Sequence, residues 1–153
     1  MVKKEVVRQF VARAVCIHNG KILLANKKGE AHWFLPGGRV EIAEGYAAAV
    51  KREIKEELGL SCKIKRFLGV IEHSFEYYEQ KQYYEIGNFF EVQIDDIDLN
   101  KPKSSEEEMQ FQWCAIDQLE KLDIRPKPVI KLLQKMKHSE KINAFWESTL
   151  TEQ

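Results

Sequence analysis

Residues 46–58 carry the pattern that most restricts how this chain folds. Within them, apolar residues recur at intervals of three and four positions, at Ala47, Val50, Ile54 and Leu58. Side chains at this spacing fall within roughly one quadrant of a helical wheel. Gly59 follows directly, where the C-terminal cap of a helix belongs. The sequence therefore predicts a helix from Tyr46 to Leu58 with one face buried in a core.

Three glutamates occupy the neighbouring face of this predicted helix. Glu53 lies three residues before Glu56 and four before Glu57, and like charges so placed destabilise an isolated helix by about 0.2–0.5 kcal/mol per pair. They also lie in the C-terminal half, where the helix macrodipole favours Lys or Arg. A solvated acidic face is one interpretation. The other is a site for a hard cation, because Mg²⁺ prefers oxygen ligands from carboxylates, waters and substrate phosphates.

A glycine-rich turn precedes the helix. The extended segment Trp33–Leu35 leads into Pro36, Gly37 and Gly38, where the backbone needs a geometry that glycine adopts freely. Glycines also let the main chain approach a ligand closely and offer it a carbonyl oxygen or an amide. Taken alone, these residues fit both a plain turn and a ligand-binding turn.

The glycine turn and the glutamate helix stand at a fixed spacing. After Gly38 come five residues, Glu44, seven residues and then Arg-Glu-Ile-Lys-Glu-Glu-Leu-Gly-Leu, which ends at Leu60. This 23-residue stretch resembles a complete Nudix box, with every defining position filled. The resemblance implies an α/β (α+β) fold, namely a Nudix-like α/β/α sandwich with a mixed central β-sheet. It also favours the hard-cation interpretation of the three glutamates.

The resemblance implies a role for each matching residue. The expected ligands of one to three divalent ions, Mg²⁺ or alternatively Mn²⁺, are the Gly37 carbonyl and the side chains of Glu53, Glu56 and Glu57. Arg52 and Glu44 are expected to pair and hold the loop on the helix, since a bidentate arginine–carboxylate pair fixes geometry better than lysine could. These five charged side chains form the expected catalytic group, with Glu53 the best candidate for the general base.

A further metal-binding carboxylate often comes from outside the box in Nudix proteins, and two regions of this chain offer one. Glu85 lies in an apolar, strand-like run, whereas Glu106, Glu107 and Glu108 lie in a polar loop. We rank Glu107 first as the additional ligand. A solvated loop is the alternative interpretation of the glutamate run.

The remaining pattern predicts strands and helices around this site. Strands are expected at Val6–Ile17, Lys21–Leu24, Ser61–Phe75, Tyr83–Ile94 and Met109–Ile116, and helices at Ile116–Leu122 and Pro128–Lys137. Asn19-Gly20 predicts a two-residue hairpin that pairs the first two strands. A mixed sheet flanked by helices follows from this order.

Length and composition restrict the class of protein. At 153 residues, with 44% hydrophobic and 31% charged residues, the chain suits one globular domain over residues 1–153. Lys+Arg and Asp+Glu are equal at 24 each, which argues against a nucleic-acid partner. No run of 18 apolar residues occurs, which argues against a membrane span. The three separated cysteines are expected to be buried thiols, so we expect a cytoplasmic protein.

These observations predict an enzyme that hydrolyses a diphosphate linkage. The expected substrate is a nucleoside diphosphate linked to another group, such as a nucleoside triphosphate, a nucleotide sugar or a dinucleoside polyphosphate. The alternative is a non-catalytic, nucleotide-sensing module of the same fold, although a pure binder gains nothing from mutually repelling carboxylates. A decapping type of enzyme is disfavoured by the zero net charge. The apolar segment Ile142–Trp146 is expected to dock on the body of the chain or on a second subunit of a homodimer.

Overall fold

The computed structural model describes residues 3–77, 80–138 and 141–150, so both ends of the predicted 1–153 domain lie outside the described residues. The elements, in chain order, are β1 (Val6–Val15), β2 (Ile17–His18), β3 (Lys21–Lys27), β4 (Gly37–Arg39), α1 (Tyr46–Leu58), β5 (Cys62–Tyr77), β6 (Lys81–Ile94), β7 (Met109–Ala115), a 3-10 helix (Ile116–Lys121), α2 (Pro128–His138) and β8 (Phe145–Ser148). Within the described residues, no helix is long and apolar enough to span a bilayer.

The strands form a five-stranded mixed sheet and a three-stranded sheet. The larger sheet has the order β4-β1-β6-β5-β8, and the smaller has the order β2-β3-β7. In the larger sheet β1 runs parallel to β6 and β8 runs parallel to β5, while β4 and β5 run antiparallel to their respective neighbours β1 and β6. The predicted α+β fold with a mixed central sheet is confirmed.

Two apolar clusters lie on the two faces of the larger sheet. Neighbouring residues of a strand point to opposite faces, and Val15 accordingly joins one cluster while Ala14 joins the other. The cluster that contains Ala14 includes the buried side of α1, and the cluster that contains Val15 includes the buried side of α2. Ile54 of α1 is fully buried, which stabilises the helix on the sheet by about 1.5–3 kcal/mol.

Helix α1 begins and ends at the residues that the apolar spacing predicts. Gly59 follows it with a φ of 69°, and its N–H donates to the carbonyl of Lys55, which ends the helix. The face of α1 that carries the glutamates is therefore held in one position relative to the sheet. This orientation decides which of its glutamates meet the glycine turn.

The predicted first strand is divided, which corrects its expected pairing. β1 ends at Val15, and only the short β2 pairs with β3 across the Asn19-Gly20 hairpin. Both turn residues have positive φ, at 49° and 72°, as a two-residue hairpin of this kind requires. β1 itself pairs with β4 and with β6, because the break after Val15 sends the two segments to different sheets.

The cysteines and the C-terminal segment also take definite places. Cys16, Cys62 and Cys114 are free thiols, of which Cys16 is buried and the other two are half-buried. Burial raises the pKa of Cys16 to about 11. Phe145 is buried in the cluster that includes α2, so β8 docks on the body of the chain. The neighbouring Trp146 remains mostly exposed.

Candidate active site

The two glycines of the turn are held between β1 and α1, each for a separate steric reason. Gly37 has a φ of +137°, and a Cβ there would lie 2.1 Å from the carbonyl oxygen of Ala12. A Cβ at Gly38 would lie 2.5 Å from a carboxylate oxygen of Glu53. Gly37 therefore allows the backbone to lie against β1, and Gly38 allows a glutamate of the helix to approach the turn.

Glu57 is a buried carboxylate that touches the turn directly. Its side chain accepts a hydrogen bond from the N–H of Gly37 at 3.2 Å, and the residue is only 5% exposed. Burial raises its pKa to about 8; the nearby Arg13 charge opposes this rise, and Glu53 adds to it. Within residues 3–77, 80–138 and 141–150, no Lys or Arg side chain forms an ion pair with Glu57. The carboxylate is thus placed where added positive charge is favourable.

Glu53 lies beside the same turn, one helical turn before Glu57. Burial raises its pKa, while the hydrogen bond from Arg52 lowers it and the charge of Glu56 raises it. Arg52 Nη1 donates to its Oε1 at 2.9 Å. Glu53 and Glu57 therefore form a pair of half-buried and buried carboxylates that face the glycine turn.

Glu56 is placed differently from the other two glutamates. Its side chain is half exposed and lies 3.3 Å from Arg52 Nη1. Among the residues that the structure describes, no three His, Cys, Asp or Glu side chains are grouped so that they could hold one metal ion. The structure thus brings two of the three predicted glutamate ligands to the turn and leaves the third on the arginine.

Arg52 and Glu44 come together as the resemblance implies. Arg52 donates from Nε to Glu44 Oε1 at 2.7 Å and from Nη2 to Glu44 Oε2 at 2.9 Å. Nη2 also donates to the carbonyl of Arg39 at 2.9 Å, which ties the end of β4 to the helix. The hydrogen bonds from Arg52 lower the pKa of Glu44 to about 2, and the same pairing raises that of Arg52. One guanidinium therefore fixes both the loop and the Glu53 carboxylate.

The loop that carries the glutamate run docks at the C-terminal end of α1. The N–H of Ser105 donates to the carbonyl of Glu57 at 2.7 Å. The charge of Glu106 raises the pKa of Glu57, although less than burial does. Glu106 and Glu107 are both exposed. The structure thus brings this loop to the candidate site, and Glu106 is the member whose charge acts on the buried carboxylate.

Glu85 is engaged in a polar cluster of its own. It is buried in β6, where it accepts hydrogen bonds from Gln9 Nε2 at 2.5 Å and lies 3.0 Å from His73 Nε2. Burial raises its pKa, but the contacts with His73, Arg13 and Gln9 together leave the pKa below its usual range. Glu85 and these partners lie on three adjacent strands, β1, β6 and β5. Their pairing registers cannot be read from the sequence.

Arg13 is the residue of this region that sequence reasoning missed. It lies in β1, and its charge acts on Glu53, Glu57 and Glu85. Nη1 donates to the carbonyl of Gly37 at 2.9 Å, which is the carbonyl expected to bind metal. The signal that could have indicated it is that Arg13 interrupts the otherwise apolar residues 10–15 of β1.

Comparison with known proteins assigns the family. A family model described as the NUDIX domain matches residues 8–133. The chain belongs to the Nudix family. A Caenorhabditis elegans protein named as a nudix hydrolase is 30% identical over 133 residues, which cover 81% of this chain and 34% of that protein. The ADP-ribose pyrophosphatase of Methanocaldococcus jannaschii is 49% identical over 55 residues, or 34% of this chain and 32% of that enzyme. The Nudix chain therefore spans about a third of the length of these curated relatives.

Solved structures show that the fold is the Nudix fold. A MutT protein from Bacillus halodurans superposes with a TM-score of 0.66 at 21% identity, covering 92% of this chain and 91% of that one. A UDP-X diphosphatase superposes with a TM-score of 0.62 at 24% identity, covering 92% of this chain and 67% of that one. At these identities the likeness concerns the fold alone.

Proposed function

We propose that this Nudix protein hydrolyses the diphosphate linkage of a nucleoside diphosphate joined to a further group, with Mg²⁺ or Mn²⁺ as the cofactor. The observation that carries the proposal is the meeting of Glu53 and Glu57 at the glycine turn, where burial raises the pKa of both carboxylates. Relatives that are named ADP-ribose pyrophosphatase, RNA pyrophosphohydrolase and UDP-X diphosphatase support the diphosphate as the reacting group.

The residues at the turn fit a hard divalent cation. All of the available donors are oxygens, which Mg²⁺ and Mn²⁺ prefer. The missing side chain at Gly38 leaves a space that the Glu53 carboxylate fills, and Glu57 is buried there without an ion-pair partner among the described residues. Glu53, Glu57 and the Gly37 carbonyl would hold the ion, joined by Glu56 on leaving Arg52 and by a loop carboxylate, Glu107 or Glu106. When bound, such an ion neutralises the diphosphate and lowers the pKa of a bound water.

In this proposal Glu53 accepts the proton of the attacking water, and Arg52 orients Glu53. In the proposed step a water oxygen forms a bond to phosphorus, the bond from phosphorus to the bridging oxygen breaks, and the water proton passes to Glu53. Glu53 is the candidate base because its carboxylate lies against Gly38 at the turn, beside the place where the water would be held. Arg52 orients Glu53 through the hydrogen bond of 2.9 Å and is itself fixed by Glu44.

A substrate panel tests the proposal. Purified protein is incubated with ADP-ribose, a UDP-sugar, nucleoside triphosphates, a dinucleoside tetraphosphate and a 5′-triphosphorylated RNA, in Mg²⁺, Mn²⁺ or EDTA, and the products are separated by anion exchange. We expect metal-dependent cleavage of at least one diphosphate linkage, and a loss of several orders of magnitude in Glu57→Gln. The matched control is Glu120→Gln, which changes an exposed glutamate of the 3-10 helix.

Each outcome of this panel has a definite meaning. Binding of a nucleotide without cleavage would favour the nucleotide-sensing alternative. Cleavage of the RNA alone would correct the expectation that nucleic acid is not a partner. Normal turnover by Glu57→Gln would show that the reacting centre lies elsewhere.

A further inference from the structure

The guanidinium of Arg13 holds the segment that ends in the glycine turn. Nη1 donates to the carbonyl of Leu35 at 3.2 Å and to the carbonyl of Gly37 at 2.9 Å. The N–H of Ala14 donates to the carbonyl between them, that of Pro36, at 2.8 Å. Two consecutive residues of β1 therefore hold three consecutive carbonyls, and they fix the position along β1 at which the turn enters the edge strand β4.

The opposite side of the same turn is held by the helix. The N–H of Gly37 donates to the Glu57 carboxylate at 3.2 Å, so the turn is held by β1 through its carbonyls and by α1 through its amide. A shift of the turn away from β1 would change the distance between the Gly37 carbonyl and the carboxylates of Glu53 and Glu57. The position of that carbonyl thus depends on the Arg13 hydrogen bonds.

The Arg13 side chain is held by an aromatic ring, and its charge acts on three nearby glutamates. Its Cζ stands 5.4 Å from the centroid of the Phe34 ring, a separation typical of a cation–π contact. Its positive charge acts on Glu53 and Glu57 at the turn and on Glu85 in the neighbouring cluster. Both hydrogen bonds come from Nη1, whose two N–H directions are fixed by the planar guanidinium, whereas a lysine would keep the charge but carry its donors on a flexible stem.

We propose that Arg13 is a positioning residue of the proposed hydrolase, which sets the Gly37 carbonyl at the correct distance from the α1 carboxylates for binding a divalent cation. This inference rests on the proposed function. It differs from a purely structural role, because an arginine that only stabilised the fold would affect unfolding and leave the affinity for the ion unchanged.

The test measures the binding of Mn²⁺ alone, by electron paramagnetic resonance of the free ion, in wild type, Arg13→Lys and Arg13→Gln. Circular dichroism and thermal unfolding verify that each variant is folded, and kcat is measured on the substrate found in the panel. Residues that support a metal ligand typically change metal affinity or activity by about 10–100-fold. We expect Arg13→Lys to raise the Kd for Mn²⁺ and lower kcat by factors in that range while remaining folded. Arg8→Lys, an exposed position of the same strand, should leave both quantities unchanged.

The possible failures are separable. If wild type binds Mn²⁺ and cleaves its substrate but Arg13→Lys does so equally well, the positioning role is overturned and the proposed function stands. This conclusion holds even if Arg13→Lys unfolds at a lower temperature. If wild type neither binds Mn²⁺ nor cleaves any diphosphate, the proposed function fails, and the role of Arg13 fails with it.

Discussion

Replacing Glu57 by glutamine should stabilise the metal-free protein at alkaline pH while abolishing its activity. Glu57 is 5% exposed, and burial raises its pKa from the ordinary 4.5 to about 8. A buried carboxylate with a raised pKa favours the protonated form, so ionisation at higher pH costs folding free energy. Glutamine keeps the shape and the acceptor for the Gly37 N–H without bearing the charge.

The size of the stabilisation follows from the difference between the pKa of Glu57 in the folded state and its pKa in the unfolded state. Between pH 4.5 and about 8 the folded state holds a proton on Glu57 that the unfolded state has lost, so this group makes stability fall as pH rises. At about 1.36 kcal/mol per pH unit, the full interval corresponds to roughly 4–5 kcal/mol. We therefore expect Glu57→Gln to match wild type near pH 4 and to exceed it by about 4 kcal/mol at pH 8 in EDTA. For a chain of this length, that difference corresponds to roughly 8–15 °C in Tm.

Chemical unfolding in EDTA at several pH values between 4 and 9 measures this difference. Glu56→Gln is the matched control, since that side chain is half exposed on the same helix, and its unfolding should follow wild type. Mn²⁺ at a hundredfold excess over Kd should raise the free energy of unfolding of the wild-type protein by about 2.7 kcal/mol. It should not raise that of Glu57→Gln. A difference that is constant with pH, or a less stable glutamine variant at pH 8, would refute the conclusion that Glu57 is a buried carboxylate with a raised pKa.

Four further outcomes follow from the turn, the arginine pair and the proposed cation. Gly38→Ala should displace the Glu53 carboxylate, which lies 2.5 Å from the new Cβ, and should reduce kcat with little change in Tm. Gly37→Ala should instead cost about 3 kcal/mol or more in unfolding experiments, because its Cβ would meet backbone at 2.1 Å and its φ is +137°; equal stability of the two alanine variants would contradict this. Arg52→Lys should lose the fork on Glu44 and lower the affinity for Mn²⁺ by about 10–100-fold, and a titration that matches wild type would count against it. Chelation by EDTA should stop hydrolysis, and added Mg²⁺ should restore it; hydrolysis that continues in EDTA would exclude a required divalent ion.

The parts of the fold that sequence could predict are those set by local patterns. The bounds of α1 follow from apolar spacing and from Gly59, and the hairpin follows from Asn19-Gly20, since both depend on residues a few positions apart. The Arg52–Glu44 pair could be expected because the box places both at a fixed spacing across one loop.

The remaining features depend on contacts between distant segments. The parallel pairing of β1 with β6 joins residues more than 70 positions apart, such as Gln9 and Glu85, and no local signal encodes that register. The contact of Arg13 with Gly37 depends on the pairing of β1 with β4, and the contact of Glu85 with His73 depends on the pairing of β5 with β6. The divided first strand was predicted incorrectly because its apolar run continues through Cys16, where the chain passes from one sheet to the other.

Anomalous diffraction from crystals soaked in Mn²⁺ would test most directly whether the turn and the α1 carboxylates form a cation site. We predict an anomalous peak within coordination distance of Glu53 and Glu57 and next to the Gly37 carbonyl, present in wild type and absent in Glu57→Gln. A saturated soak that shows no peak there, or shows it only at a site remote from the glycine turn, would contradict the proposed metal-dependent hydrolase.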